Sequence, residues 1–309
     1  MKILRNNYSM KMEKNQSNHN PLVESVERKS LLIRPSGRST DFITPSFGHG
    51  CLYDCSYCYM KRHKPEGLSI ANKSSVTDIL TEINSHAWFD DTEKPNQTHE
   101  SLITYDISCN EDFALHAKYH DWQRIFEFFR DHPKAMGSFA TKYVNNKLLE
   151  FNPEGKIRIR FSLMPIPYAK VLEPNTSKMI DRIRAINDFI EAGYDVHINF
   201  SPVIVTDGWL EQYRILFEGV DAFVDRKHKH LVKSEVIFLT HSRDKHQYNL
   251  DNELPGENLL WRPDIQEDKV SQYGGEALRY KSGYKAERIK EFLELKDEVI
   301  PWNKTRYIF

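Results

Sequence analysis

The sequence predicts an α/β fold with a parallel sheet, a barrel or part of one. Two observations predict it. Short segments rich in β-branched or aromatic residues alternate with amphipathic ones from about residue 31 onward. Residues with reactive or charged side chains then fall just past the ends of the predicted strands, where such sheets collect their chemistry. Strands are read at 101–108 (SLITYDIS), 137–142 (GSFATK), 156–163 (KIRIRFSL), 195–205 (DVHINFSPVIV) and 234–240 (SEVIFLT). Helices are read between them at 75–87, 121–132, 176–193 and 208–220.

In chain order, residues 1–30 are polar and Asn-rich and read as a tail. The span 31–240 carries the strand–helix alternation. Its best-signalled helix is 176–193. Thr176 or Ser177 is placed to cap its start, Gly193 to close its end, and Met179, Ile183, Ile186 and Ile190 share one face. Residues 241–309 change character, with Pro255, Gly256, Pro263, Gly274, Gly275 and Gly283, a Tyr/Lys/Arg-rich stretch and a late helix near 285–298. They read as an extension packed on the barrel. Trp122, Trp209 and Trp261 read as core anchors.

Of the 309 residues, 39% are hydrophobic and 28% charged, which is globular composition with enough apolar material for a core. No apolar run reaches the ~18 residues of a membrane span, and the N-terminus lacks a signal-peptide core. A cytoplasmic location is expected. With 43 basic and 44 acidic residues there is no global attraction to nucleic acid, so any such binding needs a local basic surface. The segment RYKSGYKAERIK (279–290) is one candidate, and a solvated helix face is the competing reading.

Three of the four cysteines lie in GHGCLYDCSYCYMKRH (48–63), as Cys51, Cys55 and Cys58. In a reducing compartment four cysteines argue against a disulfide framework. Thiolates suit zinc or iron–sulfur clusters. A structural zinc site takes four protein ligands, and only a compact trio is present, although Cys109 or His49 would be available to complete a zinc site. His49 and His63 otherwise read as supporting or surface groups. Three thiolates can hold three corners of a [4Fe–4S] cube, leaving one iron that S-adenosylmethionine can chelate.

The C-x3-C-x2-C spacing, with Tyr57 before the third cysteine, resembles the signature of the radical S-adenosylmethionine superfamily. From about Phe47 to the C-terminus the chain is similar to the spore photoproduct lyase family, whose members repair the thymine dimer 5-thyminyl-5,6-dihydrothymine. CSYCY, DISCNED, FATKYVNNKLLE, KIRIRFSLMP, VLEPNTSKMIDRIRAINDFIEAGY and PVIVTDGWLEQYRILFE follow in the family's order.

The resemblance implies a partial (β/α)6-type TIM barrel with a C-terminal substrate-binding extension. It implies a [4Fe–4S] cluster on Cys51, Cys55 and Cys58, with S-adenosylmethionine contacted by Lys142 and Ser162. Cys109 would give a hydrogen atom to the repaired thymine radical, after a 5′-deoxyadenosyl radical has abstracted hydrogen from the dihydrothymine half. Tyr57 and Tyr59 would return the hydrogen toward the cofactor, and Tyr273 would sit beside the lesion in a hairpin. The implied partners are DNA bearing a UV lesion and an electron donor such as a flavodoxin or ferredoxin.

Two departures stand out. Asn110 and Glu111 follow Cys109 where the family has small hydroxyl residues, so Glu111 is expected to add charge near the cofactor or substrate. Gln272 replaces an arginine before the lesion-side tyrosine, which removes a phosphate-pairing charge. The rival readings are the same radical chemistry on another nucleic-acid base or a peptide, and a non-enzymatic zinc-binding module.

Overall fold

The computed structural model describes residues 22–62, 67–89, 93–270 and 275–309. Six strands pair in parallel in chain order: Phe42–Ile43, Ile103–Asp106, Ala135–Thr141, Ile157–Leu163, Asp195–Val203 and Lys233–Phe238. Arg34–Pro35 flanks the first strand antiparallel, and Lys304–Ile308 adds a seventh parallel strand beyond the sixth. The helices Lys73–Phe89, Trp122–Asp131, Met179–Glu191 and Trp209–Phe223 provide the crossovers. The third and fourth strands are joined by a 3-10 turn, Asn146–Glu150, without a crossover helix. This is a curled partial barrel, and all five predicted strands and four predicted helices are present.

The fourth strand shows how the sequence sets the site. Ile157–Leu163 is buried along its whole length, as a parallel strand covered on both faces must be. Successive side chains alternate in direction. Phe161 meets Phe189 of the helix Met179–Glu191, with ring centroids 5.3 Å apart. Arg160 and Ser162, of the opposite parity, line the barrel interior.

That helix buries Met179, Ile183 and Ile186, together with Arg182, Ala185 and Phe189. Neither predicted cap is used. Lys178 occupies the cap position without a side-chain bond. Ser177 Oγ accepts from Val144 N at 3.0 Å, and Thr176 Oγ1 donates to Glu173 O at 2.8 Å. Both hydroxyls are engaged by neighbouring loops. Gly193 does close the helix at φ +92°, where a Cβ would meet Asn152 Oδ1 at 2.1 Å.

The expected tail gives way before residue 30. Val23–Val26 pairs in parallel with Leu68–Ala71, which also pairs with Gly48–Gly50. Arg28 N donates to Ser75 Oγ at 2.8 Å, and its guanidinium to Ser69 O at 2.7 Å. The backbone partners of this polar strand lie 45 or so residues away, so local composition does not reveal them.

The chain does not break cleanly at 240 either. Lys304–Ile308 belongs to the main sheet, and the helix Ser282–Val299 buries Phe292 against Phe200, Trp209, Tyr213 and Phe217. A separate small sheet comprises Thr240–Ser242, Gln266–Val270 and Glu276–Tyr280. The tip of its hairpin, with Gln272 and Tyr273, lies outside the described residues, as does His63. Among the described residues no helix is long and apolar enough to cross a membrane.

Candidate active site

The cysteine loop enters from Gly48–Gly50 and turns at Gly50, φ +96°. It lies over the C-terminal ends of the barrel strands. A cavity of about 240 Å³ there is bordered by Cys51, Cys55, Cys58, Tyr59, Cys109, Lys142 and Ser162. Seven of the nine sequence-predicted site residues therefore converge on one cavity. Tyr57 is turned away from it, and Tyr273 is not described. A larger depression of about 1010 Å³, lined by Arg158, Asp195 and Lys233, opens at the other end of the strands and contains none of the predicted site residues.

The loop is fastened from several sides. Ser56 N donates to Leu172 O at 2.9 Å, Ser56 Oγ to Pro255 O at 3.2 Å, and Asn249 Nδ2 to Ser56 O at 2.7 Å. Tyr53 N donates to Cys51 Sγ at 3.4 Å. Burial pushes Cys51 up to about 12 and Cys55 well above its ordinary value, so a bound cation is what would hold them as thiolates. Zn–S bonds of about 2.3 Å would draw tetrahedral sulfurs to about 3.8 Å apart. Among the described residues, the trio is not one of the groups whose ligand atoms all lie within 4.8 Å of one another. Three thiolates are the donor set of a cluster with one open iron.

Cys109 follows the strand Ile103–Asp106 and is tied to the cysteine loop. Gly50 N donates to Asn110 O at 3.0 Å, and the Tyr59 hydroxyl donates to Cys109 O at 2.7 Å. Burial, aided by the Asp106 charge, pushes the Cys109 thiol up to about 11. It is therefore protonated at neutral pH. The Tyr59 phenol is raised well above its ordinary value, first by burial of its hydroxyl end and then by Cys109 and Cys58.

Lys142 follows directly on the third strand. Burial works against its charge, but Glu173, Cys55 and Cys58 outweigh that and hold it above its ordinary value. Its Nζ lies 5.5 Å from the centre of the Tyr57 ring. The Tyr57 hydroxyl donates to Glu173, which also pairs with Arg182 at 2.8 Å.

Several contributing residues were not singled out by sequence reasoning. Asp112 accepts from Leu115 N at 3.2 Å as a helix cap, from Thr141 Oγ1 at 2.7 Å and from Lys142 N at 2.9 Å. It thereby fixes the strand end that carries Lys142. Arg160 pairs with Asp106 at 2.8 Å and with Glu235 at 3.4 Å beneath the cavity. Asn199 borders the cavity, and its buried Oδ1 has no partner. A polar guest would satisfy that atom.

Glu111 borders the cavity. It is 1% exposed and accepts from His116 Nδ1 and His120 Nε2, both at 2.9 Å. Burial disfavours its charge, yet the His120 and His116 imidazoles prevail and hold it down at about 2. Leu52 N donates to His116 Nε2 at 3.3 Å. The carboxylate thus acts on the cysteine loop through His116, with both imidazoles sharing Oε2, while its buried Oε1 has no partner.

A partial parallel barrel with a three-thiol loop and a cavity over its strand ends defines the class as a radical S-adenosylmethionine barrel. More narrowly, the family model for spore photoproduct lyase matches residues 4–309, and the chain belongs to that family. Spore photoproduct lyase of Bacillus subtilis (strain 168) is 30% identical over 212 residues, covering 68% of this chain and 59% of that protein. Spore photoproduct lyase of Geobacillus sp. (strain Y412MC61) is 25% identical over 203 residues, covering 63% and 57%. The chain thus matches less than two thirds of the length of these relatives. A solved spore photoproduct lyase complexed with dinucleoside spore photoproduct superposes with TM-score 0.82 at 20% identity, covering 93% of this chain and 82% of that one. A variant with bound AdoMet and dinucleoside spore photoproduct gives 0.81 at 18%, covering 96% and 88%. At these identities the likeness establishes the fold.

Proposed function

We propose that this protein is a radical S-adenosylmethionine lyase that repairs spore photoproduct in DNA. The observation that carries the reading is a protonated Cys109 thiol sharing a cavity with the three-cysteine loop. Cys51, Cys55 and Cys58 would hold a [4Fe–4S] cluster, and the three-thiolate donor set fits one. Cluster and S-adenosylmethionine together would supply a 5′-deoxyadenosyl radical, the hydrogen-abstracting agent.

The chain's residues do the rest. Lys142 offers a cation to the cofactor carboxylate, and Ser162 and Asn199 Oδ1 offer polar contacts beside it. Asp112 holds Lys142 in place through the backbone. When the dimer's bridge has broken, a thymine-centred radical remains. The Cys109 S–H bond breaks, a C–H bond forms, and a thiyl radical is left. Tyr59, bonded at Cys109, is the nearest phenol able to restore S–H. Tyr57 lies off the cavity with its hydroxyl donated to Glu173; as the next donor it would pass an electron to the Tyr59 phenoxyl radical, which takes up a proton, while its own proton goes to Glu173.

The dimer must leave the duplex stack to enter, and the hairpin carrying Tyr273 is the element proposed to receive it. The electron would come from a flavodoxin- or ferredoxin-type donor. Anaerobic reconstitution, dithionite and a synthetic dinucleoside spore photoproduct test the proposal. Thymine products accompanying 5′-deoxyadenosine support it. Cofactor cleavage without repair transfers the chemistry to another substrate, and one tightly bound zinc on the trio with no iron removes the enzyme altogether.

A further inference from the structure

A second cluster of metal-ligating side chains lies outside this cavity. His241 sits in the strand Thr240–Ser242, His246 in the helix Arg243–Asp251, and Glu257 opens the helix Glu257–Leu260. His241 Nε2 is 3.0 Å and His246 Nδ1 is 2.5 Å from the same oxygen, Glu257 Oε1. The three ligand atoms all lie within 4.8 Å of one another.

We propose that His241, His246 and Glu257 bind one divalent transition-metal ion of the zinc class, with water in the fourth position, separate from the cysteine site. Two imidazoles and one carboxylate are a borderline-soft donor set suited to zinc. The ligands are held from outside, as metal ligands commonly are. Asn249 Nδ2 donates to Glu257 Oε2 at 2.5 Å, the oxygen not shared with the histidines. Trp261 stacks flat on His246, with centroids 3.8 Å apart and planes 5° apart. Trp261 is thus a buttress for this cluster and only partly buried. His241 is fully buried. The nearby guanidinium of Arg243 is neutralised by Asp268 at 2.5 Å and Glu276 at 3.4 Å.

The ion would have structural work to do. It would join three short elements from one strand and two helices, of which the second is a single turn. The same Asn249 amide that braces Glu257 also bonds Ser56 O between Cys55 and Tyr57. Loading the ion would therefore stiffen one support of the cysteine loop.

The test uses the full chain with its iron–sulfur cluster reconstituted, so that the cysteines are occupied. The protein is stripped with a mild chelator, incubated with zinc or cobalt(II), and desalted. The expected result is one equivalent of zinc per chain beyond the iron, and with cobalt a visible d–d spectrum lacking thiolate charge-transfer bands. Glu257→Gln keeps the shape and should lose the equivalent, as should His246→Ala, while the iron content of Glu257→Gln stays near wild type. Circular dichroism confirms that each variant is folded. A folded wild type that retains no zinc, or a Glu257→Gln protein that retains a full equivalent, overturns the proposal. Thiolate bands in the cobalt spectrum would do the same by moving the ion to cysteine.

Discussion

Replacing Glu111 by Gln keeps the side chain's shape and removes its charge from between His116 and His120. The two imidazoles hold the carboxyl from its ordinary 4.5 down to about 2, which corresponds to roughly 3 kcal/mol carried by the ionised form. Weakening a buried hydrogen-bonded group costs about 1–3 kcal/mol, of the same order. For 309 residues, an unfolding entropy near 2.1 cal/mol/K per residue turns about 3 kcal/mol into a fall in Tm of about 5 °C. The sign in pH follows from the direction of the displacement. The folded group titrates below the unfolded one, so its stabilisation is complete above about 4.5 and is lost as pH falls toward 2. Thermal melts of both proteins at pH 7 and at points down to pH 3 measure this. Because His116 also accepts from Leu52 N, the variant should retain less iron after reconstitution. A Glu111→Gln protein melting within about 1 °C of wild type at pH 7 would refute the claim that the imidazoles stabilise the ionised carboxylate.

Gly48 packs against the same carboxylate: a Cβ there would lie 2.4 Å from Glu111 Cδ and both of its oxygens. Gly48→Ala should cost about 1–3 kcal/mol, and most of that cost should vanish in a Glu111→Ala background; additive melting shifts would show that the contact is not the cause. Burial holds the Cys109 thiol near 11 instead of 9.0, so the thymine yield per cofactor cleaved should stay flat between pH 7 and pH 9.5; a decline centred near 9 would mean that the thiol is solvated. Arg38, Lys269 and Lys285 gather around Phe309, whose carbonyl accepts from Phe238 N at the strand-end rim of the barrel. Burial, then repulsion from neighbouring cations, lowers both lysines. Lys285→Ala should weaken DNA binding and reduce the salt dependence of log K by about one, and an unchanged salt slope would remove this surface from the DNA path.

Much of the barrel was legible because its signals are local. Strands such as KIRIRFSL alternate with a period of two, and helices such as MIDRIRAINDFIE show one apolar face, so neither needs a distant partner to be recognised. The strand Val23–Val26 was missed because two of its four residues are polar and its support comes from Leu68–Ala71. The cysteine trio was legible from spacing alone, and the resemblance gave Cys109, Lys142 and Ser162, which the barrel then brings to one cavity.

The Asn110–Glu111 departure was visible, but its meaning was not. Its partners are the Gly50 backbone and two histidines, and the four-residue spacing of His116 and His120 was the available clue. These residues fasten the Cys109 turn to the cysteine loop. Tyr57 shows the converse limit. Cys55, Cys58 and Tyr59 border the cavity, while the Tyr57 hydroxyl reaches Glu173 instead.

The central claim is that Cys109 delivers hydrogen to substrate from within the cavity it shares with the cysteine loop. The most direct measurement is the product profile of reconstituted Cys109→Ala on dinucleoside spore photoproduct, with 5′-deoxyadenosine counted in the same reaction. The account predicts cofactor cleavage at a rate comparable to wild type, with the thymine yield falling steeply and unquenched adducts taking its place. Clean thymine at the wild-type yield would contradict it and leave Cys109 a packing residue.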